Sequence, residues 1–450
     1  MENRLKFWQK TAYGLGAFGS NYSWTFISAF VLIYCTDTVG VGAAVIGTLM
    51  MIAKVLDGFT DVMMGGIIDR TRSKMGKARF WLFWSIPPLV ISQVLLFSVP
   101  AGFSELAKNI YIFILYTALG AFFYTANDIS YSTLTSLATD NPRERVAMGS
   151  FRQFFGVFAA MLLYSTTPML VERFGGGQGG WTGVSVLYAA VCMVLMMITV
   201  FGVREMKSSA GDAENTAQEK KTENVPFGKS MVLLFRNKYF LIMLGIIMLT
   251  YLSGGISGAI GIYYATYVLK NPALLGILSM ASTIPMMIGI IITPKLTGKF
   301  GMVKTCLYGT IISIIGALIV VFSRNSVPVL VVGLIIRSVG SAPLQGALYG
   351  IIAEVAEYSF YRFKVRMEGT IYSCSSVGIK VGSGIGVALT GWLLAAGRYD
   401  GMAEVQTESA VTMIQYMYTL TPLIYAVLLV ILFAIQKVEQ VNKNLKAEGV

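Results

Sequence analysis

The stretch KVLDGFTDVMMGGIIDRTRSKMGKARFW, residues 54–81, places Lys54, Asp57 and Asp61 inside an apolar run long enough to enter a bilayer. Two carboxylates four residues apart lie one above the other on one helix face. A charge held at membrane depth is costly, so by default it marks an ion or substrate path. Further along, FFYTANDISYSTL puts Asp128 well inside a fourth apolar run, SFRQFFG puts Arg152 just inside a fifth, and Lys380 lies in an eleventh. These six groups, three acidic and three basic, are expected to converge on one polar cavity where they nearly neutralise each other, because an unpaired buried ion costs several kcal/mol.

The elements that must hold these groups are membrane helices. The chain has 450 residues, of which 55% are hydrophobic and 13% charged. A soluble domain carries about 25% charged residues. The short alternating segments of an outer-membrane barrel are absent from the sequence. The expected fold class is therefore an all-α membrane protein of twelve spans: residues 11–35, 42–68, 80–101, 109–138, 150–171, 181–203, 236–269, 272–297, 303–323, 327–353, 368–396 and 411–436.

The net charge of +12 does not read as nucleic-acid binding. The basic residues cluster in alternate short loops, at 70–79 above all, which makes every second loop and both termini cytoplasmic by the positive-inside rule. Arg143, Glu144 and Arg145 are candidate partners of the 70–79 loop in a cytoplasmic gate. The four cysteines form no CxxC pair and histidine is absent, so no cofactor is expected and the cysteines read as small apolar fillers. Residues 204–230 are polar, charged and poor in aromatics, which reads as a linker. The expected domains are a six-helix bundle over 1–203, the linker 204–230, a second bundle over 231–437 and a tail over 438–450. Glycine-rich runs (YGLGAFGSN, SGGISGAIG, SVGIKVGSGIG) suit close helix packing or sliding helices.

These motifs resemble, in order and spacing, the glycoside–pentoside–hexuronide:cation symporters, a branch of the major facilitator superfamily typified by the melibiose permease. YGLGAFGSN, DGFTD followed by GGIIDRTRSKMGKAR, YTANDISYSTL, FRQFFG and AEVAEYSFYRFKVRMEGTIYS carry the resemblance almost end to end. It implies a major facilitator fold, two six-helix bundles around a central cavity. It also implies a cation site at Asp57 and Asp61 with Thr60 and Thr125 nearby, and a sugar site at Asp128 and Arg152. Lys380 matches a lysine between the two sites, Lys54 a basic residue beside the aspartate pair, and Tyr124 an aromatic close to the cavity. Two carboxylates and two hydroxyls suit Na⁺, a hard cation that prefers oxygen. The same carboxylates can instead take a proton, because close like charges raise one pKa.

Three positions depart from the family's galactoside pattern. Asn21 stands in place of a carboxylate, and Ser132 and Gln345 in place of cavity aromatics. A less acidic pocket near Lys54, Arg152 and Lys380 opens the way to a uronide or pentoside. The expected activity is thus uptake of a small sugar or glycoside coupled to Na⁺ or H⁺, by a monomer in a bacterial-type inner membrane, with no enzymatic chemistry. Drug or metabolite antiport on the same scaffold, or a non-transporting receptor, are the alternatives. The acidic pair argues against both, since neither needs two membrane carboxylates one turn apart. Trp24 is the aromatic of the first span expected to face the cavity.

Overall fold

The computed structural model describes residues 5–139, 141–206, 227–364, 368–403 and 405–447. Among them every regular element is helical. The helices are α1 (Phe7–Ile33), α2 (Ala43–Arg70), α3 (Lys77–Leu96), α4 (Glu105–Thr117), α5 (Thr125–Ala138), α6 (Pro142–Arg173) and α7 (Gly177–Gly202). Then come α8 (Phe227–Arg236), α9 (Lys238–Tyr263), α10 (Leu274–Phe300), α11 (Met302–Val321) and α12 (Val327–Phe363). The last are α13 (Glu368–Ala396), α14 (Glu408–Ile435) and α15 (Val438–Ala447). A π turn over Ala118–Tyr124 joins α4 to α5, and π turns at Tyr34–Thr38 and Tyr264–Val268 extend α1 and α9.

Eleven helices among the described residues are long and apolar enough to cross a membrane. The expected twelfth, α1, has the length, 27 residues. It is not among the eleven because Gly14, Gly16, Gly19, Ser20, Asn21 and Ser23 dilute its hydropathy. Large apolar side chains are exposed along the spans, Ile291 at 75% and Met63 at 65% among them. Such a surface belongs in lipid, since a soluble monomer rarely exposes a large contiguous apolar patch.

By proximity the chain forms two compact units. The first comprises Met1–Lys207, Ile256–Ser279 and Gly384–Gln415; the second comprises Ser208–Gly255, Met280–Ser383 and Tyr416–Val450. Two stretches from the later half therefore belong with the first six spans. Small residues explain the close approach. A Cβ on Gly391 would overlap the Ala43 carbonyl, one on Gly47 would reach the Ala388 carbonyl, and one on Gly384 would meet the stem of Lys54. In α1, Gly14 lies against Phe155, Gly16 against Thr199 and Gly19 against the Cys192 backbone. These are tight contacts, whereas Gly254 and Gly258 face open space.

Each unit repeats one capping device. Gly76 (φ 101°) precedes α3, and the Glu205 carboxylate accepts the backbone N–H of Lys77 at 3.0 Å and of Arg79 at 2.7 Å. In the second unit Gly301 (φ 87°) precedes α11, and Glu439 accepts from Val303 N–H at 3.4 Å. A carboxylate on the free N–H groups of a helix start satisfies donors that the helix cannot pair and meets the positive end of its dipole. Glu205→Ala should lower thermal stability by about 1–2 kcal/mol, the scale of a lost N-cap, as read by thermal unfolding in detergent. Glu205 is thus a partner of the 70–79 loop. Glu144 pairs with Lys10 at 2.7 Å, and Arg145 donates to the Thr139 carbonyl at 2.8 Å. The side chain of Arg143 lies outside the described residues.

Most of the expected linker, residues 207–226, also lies outside the described residues; its end is already helical, in α8. The residues expected as a tail form α15. Asn442 donates to Glu354 at 2.8 Å and Lys446 pairs with Glu357 at 2.8 Å, so α15 is fastened to α12. Val438 joins the core of the second unit beside Phe240, Ile351 and Phe433.

Candidate functional site

Four helices of the first unit contribute the polar groups. On α2, Asp57 and Asp61 stand one turn apart, and Asp57 is 5% exposed. The π turn over Ala118–Tyr124 then delivers Thr125 to them. Its hydroxyl lies 2.6 Å from Asp57 Oδ1, 3.1 Å from Asp61 Oδ1 and 3.2 Å from the Gly120 carbonyl. One hydroxyl has a single proton, so it serves one acceptor at a time and keeps lone pairs for something else. Two carboxylate oxygens converging on one hydroxyl oxygen make an oxygen cage suited to a small hard cation. A π turn inserts one extra residue per turn and is frequent at functional positions; here it sets the register that aims Thr125 at α2.

Lys54 closes the other side. Its ammonium lies 3.8 Å from Asp57 Oδ2 and 3.7 Å from the centroid of the Trp24 ring. Trp24 in turn stacks on Tyr124, with centroids 4.3 Å apart. Thr60 behaves differently from Thr125. Its hydroxyl donates to the Asp57 backbone carbonyl at 3.1 Å, within its own helix.

One turn further along α5, Asp128 faces α6. Arg152 forks between two acceptors there, donating to Asp128 Oδ1 at 2.8 Å and to Ser132 Oγ at 2.7 Å. The guanidinium carbon sits 5.0 Å from the Tyr131 ring, which stacks on Tyr13 at 4.3 Å. This aromatic pair is buried, and it backs the guanidinium. The Arg152 and Asp128 side chains stay 33% and 40% exposed, so a ligand can reach both. Asn21 packs on Gly156, one turn beyond Arg152, and donates to the Ala17 carbonyl at 2.8 Å. Thr125 and Asp128 are three residues apart on one helix face, so α5 links the two clusters.

Of the predicted residues, Lys54, Asp57, Asp61, Thr125 and Tyr124 therefore form one cluster and Asp128, Ser132 and Arg152 another. Gln345 and Lys380 belong to the second unit, Gln345 exposed on α12 and Lys380 half-buried on α13. The second unit adds a charge that the count of six omits: Arg337, inside the α12 span, near Tyr418 and Tyr425 of α14. The motif LIIRSVG showed it, but no motif of the resemblance includes it.

A second polar cluster was unforeseen. The Asp37 carboxylate, on the π turn that ends α1, accepts from Tyr267 OH at 2.5 Å and Tyr399 OH at 2.5 Å, and Thr36 Oγ1 lies 2.9 Å from Tyr263 OH. Tyr263 is fully buried. All five residues belong to the first unit, although Tyr263, Tyr267 and Tyr399 come from its two later stretches. In the sequence Asp37 marked only a loop poor in basic residues. The tyrosines of YYATY and RYD, each beside an apolar run, were the available signal.

Comparisons with known proteins identify the family. A family model described as MFS/sugar transport protein matches residues 12–440. The isoprimeverose transporter of Lactiplantibacillus pentosus is 29% identical over 454 residues, covering 99% of this chain and 92% of that protein. The glucuronide carrier protein homolog of Escherichia coli (strain K12) is 27% identical, covering 94% and 90%. Among solved structures, a D-xylose–proton symporter superposes with a TM-score of 0.65 at 14% identity, covering 94% of this chain and 97% of that one. That likeness concerns the fold. The match over nearly the whole chain places this multi-pass membrane protein in the MFS/sugar transport family.

Proposed function

We propose that the chain is a secondary active symporter that takes up a sugar or glycoside together with a small cation by alternating access. The coupling ion, Na⁺ or H⁺, occupies the Asp57–Asp61 pair with Thr125, and Thr60 stands beside them. The sugar lies against Asn21, Tyr124, Asp128, Ser132 and Arg152. The observation that carries this reading is the Thr125 hydroxyl within 2.6 and 3.1 Å of both carboxylates. Three converging oxygens are more than a proton needs and favour Na⁺. The Arg152–Asp128–Ser132 fork offers donors and acceptors to adjacent sugar hydroxyls, as carbohydrate recognition requires.

Ion binding partly neutralises the pair and lowers the cost of ordering the sugar one turn away. Coupling of this kind is reciprocal: each ligand tightens the other. The caps at Gly76 and Gly301 give each unit the same helix-start device, as expected of a repeated transporter scaffold. The protein works as a monomer in the bacterial plasma membrane, with both termini cytoplasmic, and needs no cofactor beyond the coupling ion. Counterflow in proteoliposomes with a panel of neutral glycosides, pentosides and uronides, with and without sodium, tests the reading. Exchange of none of these sugars would refute it.

The Asp37 cluster supplies a gate on the extracytoplasmic side. It joins the end of α1 to the ends of later helices, and these contacts must part when that side opens. A Cβ on Gly401 would overlap the Thr36 carbonyl in the closed arrangement. Gly401→Ala should therefore reduce uptake at least tenfold, an effect of about 1.4 kcal/mol on closure, and leave sugar binding from outside intact. Uptake and binding measured on the same membranes check this.

A further inference from the structure

Trp24 has no role in the reading so far, yet it closes a ring of contacts across three helices. The ring runs from Trp24 to Lys54 (3.7 Å), from Lys54 to Asp57 (3.8 Å), from Asp57 to Thr125 (2.6 Å), and back through Tyr124, which precedes Thr125 and stacks on Trp24 at 4.3 Å with 22° between the planes. Gly120 leaves room for the indole edge, since even an added Cβ there would stand 3.7 Å from it.

We propose that Trp24 is a positioning residue for the coupling-ion site: its π face holds the Lys54 ammonium at the edge of the carboxylate pair and so keeps that tethered cation from taking the place of the transported one. An indole is the strongest of the side-chain faces for a cation. The ammonium satisfied there stands 3.8 Å from Asp57 Oδ2, beyond the roughly 2.8 Å of a charge-assisted hydrogen bond. Without the indole, Lys54 is drawn by Coulomb attraction onto Asp57, where it repels a mobile cation and occupies one of its oxygens. With an effective dielectric constant of about 20, closing that gap of about 1 Å weakens ion binding about tenfold. The lysine thus acts as a built-in competitor, and Trp24 sets how strongly it competes. The inference rests on the reading that a sodium ion visits Asp57 and Asp61.

The test uses the purified full-length protein and sodium chloride alone, without sugar. Ion binding at sodium concentration c stabilises the folded protein by RT ln(1 + c/Kd), so fitting that dependence to a sodium titration, with choline chloride as the control, yields the half-saturating sodium concentration. Trp24→Leu should raise that concentration about tenfold, and Trp24→Phe, which keeps a π face, by much less. The double variant Trp24→Leu/Lys54→Gln should return to the value of Lys54→Gln alone, because the competitor is gone. A merely structural role for Trp24 would not be rescued by removing Lys54. An unchanged sodium concentration in Trp24→Leu, or a double variant as weak as Trp24→Leu, overturns the proposal. Asp57→Asn separates the two levels. If the wild-type protein ignores sodium, or Asp57→Asn responds as the wild type does, the sodium reading itself falls and this inference with it.

Discussion

Replacing Asp57 by cysteine is expected to leave a protein that still binds sugar but no longer senses the coupling ion. Asp57 is buried, holds the Thr125 hydroxyl at 2.6 Å and faces Lys54. Its removal takes one of the two carboxylates from the cage and leaves Asp61 with Thr125. A single carboxylate and a hydroxyl, with an ammonium close by, are poor competitors with water for a hard cation. Coupling free energies between sites are typically about 1–3 kcal/mol, so sodium should tighten sugar binding by about 5- to 150-fold in the wild type and by nothing in the variant. Uphill accumulation should disappear while downhill exchange persists at a reduced rate. Sugar-binding isotherms with and without sodium, followed by concentrative uptake in proteoliposomes, check both halves. Intact ion-driven accumulation in Asp57→Cys would refute the assignment of the cation site.

The second large effect is expected at Arg152. Its guanidinium spans Asp128 and Ser132 at 2.8 and 2.7 Å, and the Tyr131–Tyr13 pair backs it. Hydrogen bonds to charged groups contribute about 1.5–3 kcal/mol each. Both side chains are partly solvated, so the lower part of that range applies. Arg152→Ala should therefore weaken sugar binding by about 10- to 100-fold. Lysine is a point charge without the planar fork, so Arg152→Lys should rescue little. Protection by sodium should survive in both, because the cation cage shares α5 with the fork but none of its side chains. A variant that loses sodium protection as completely as sugar binding would mean that Arg152 holds the helices together rather than the substrate. Binding titrations with the sugar identified by counterflow, set beside sodium titrations of thermal unfolding, separate the outcomes.

Much of this was legible before any coordinates. Hydropathy marked the spans because the cost of burying or exposing a side chain in lipid is a property of that side chain. Asp57, Asp61, Asp128, Arg152 and Lys380 stood out because charges are rare at such depth. The α1 span was legible in length but diluted by the small residues that let it pack on α6 and α7. What the sequence concealed were shifts of register and partners from far along the chain. Three π turns, at Tyr34–Thr38, Ala118–Tyr124 and Tyr264–Val268, lie at the two polar clusters, yet no residue pattern announced them. Arg337 was visible as a charge within a span, but its neighbours Tyr418 and Tyr425 lie on another helix.

The sequence by itself determined that the chain lives in a membrane and which ionisable groups travel there with it, because hydropathy and charge are local and a bilayer enforces them residue by residue. Only the tertiary structure decided that Thr125 lies between both aspartates, that Trp24 holds Lys54, and that three tyrosines gather near Asp37. Thr125 comes from 68 residues beyond Asp57, and the partners of Asp37 come from 230 and 362 residues away. Contacts across such separations depend on how helices cross, which helical periodicity leaves open.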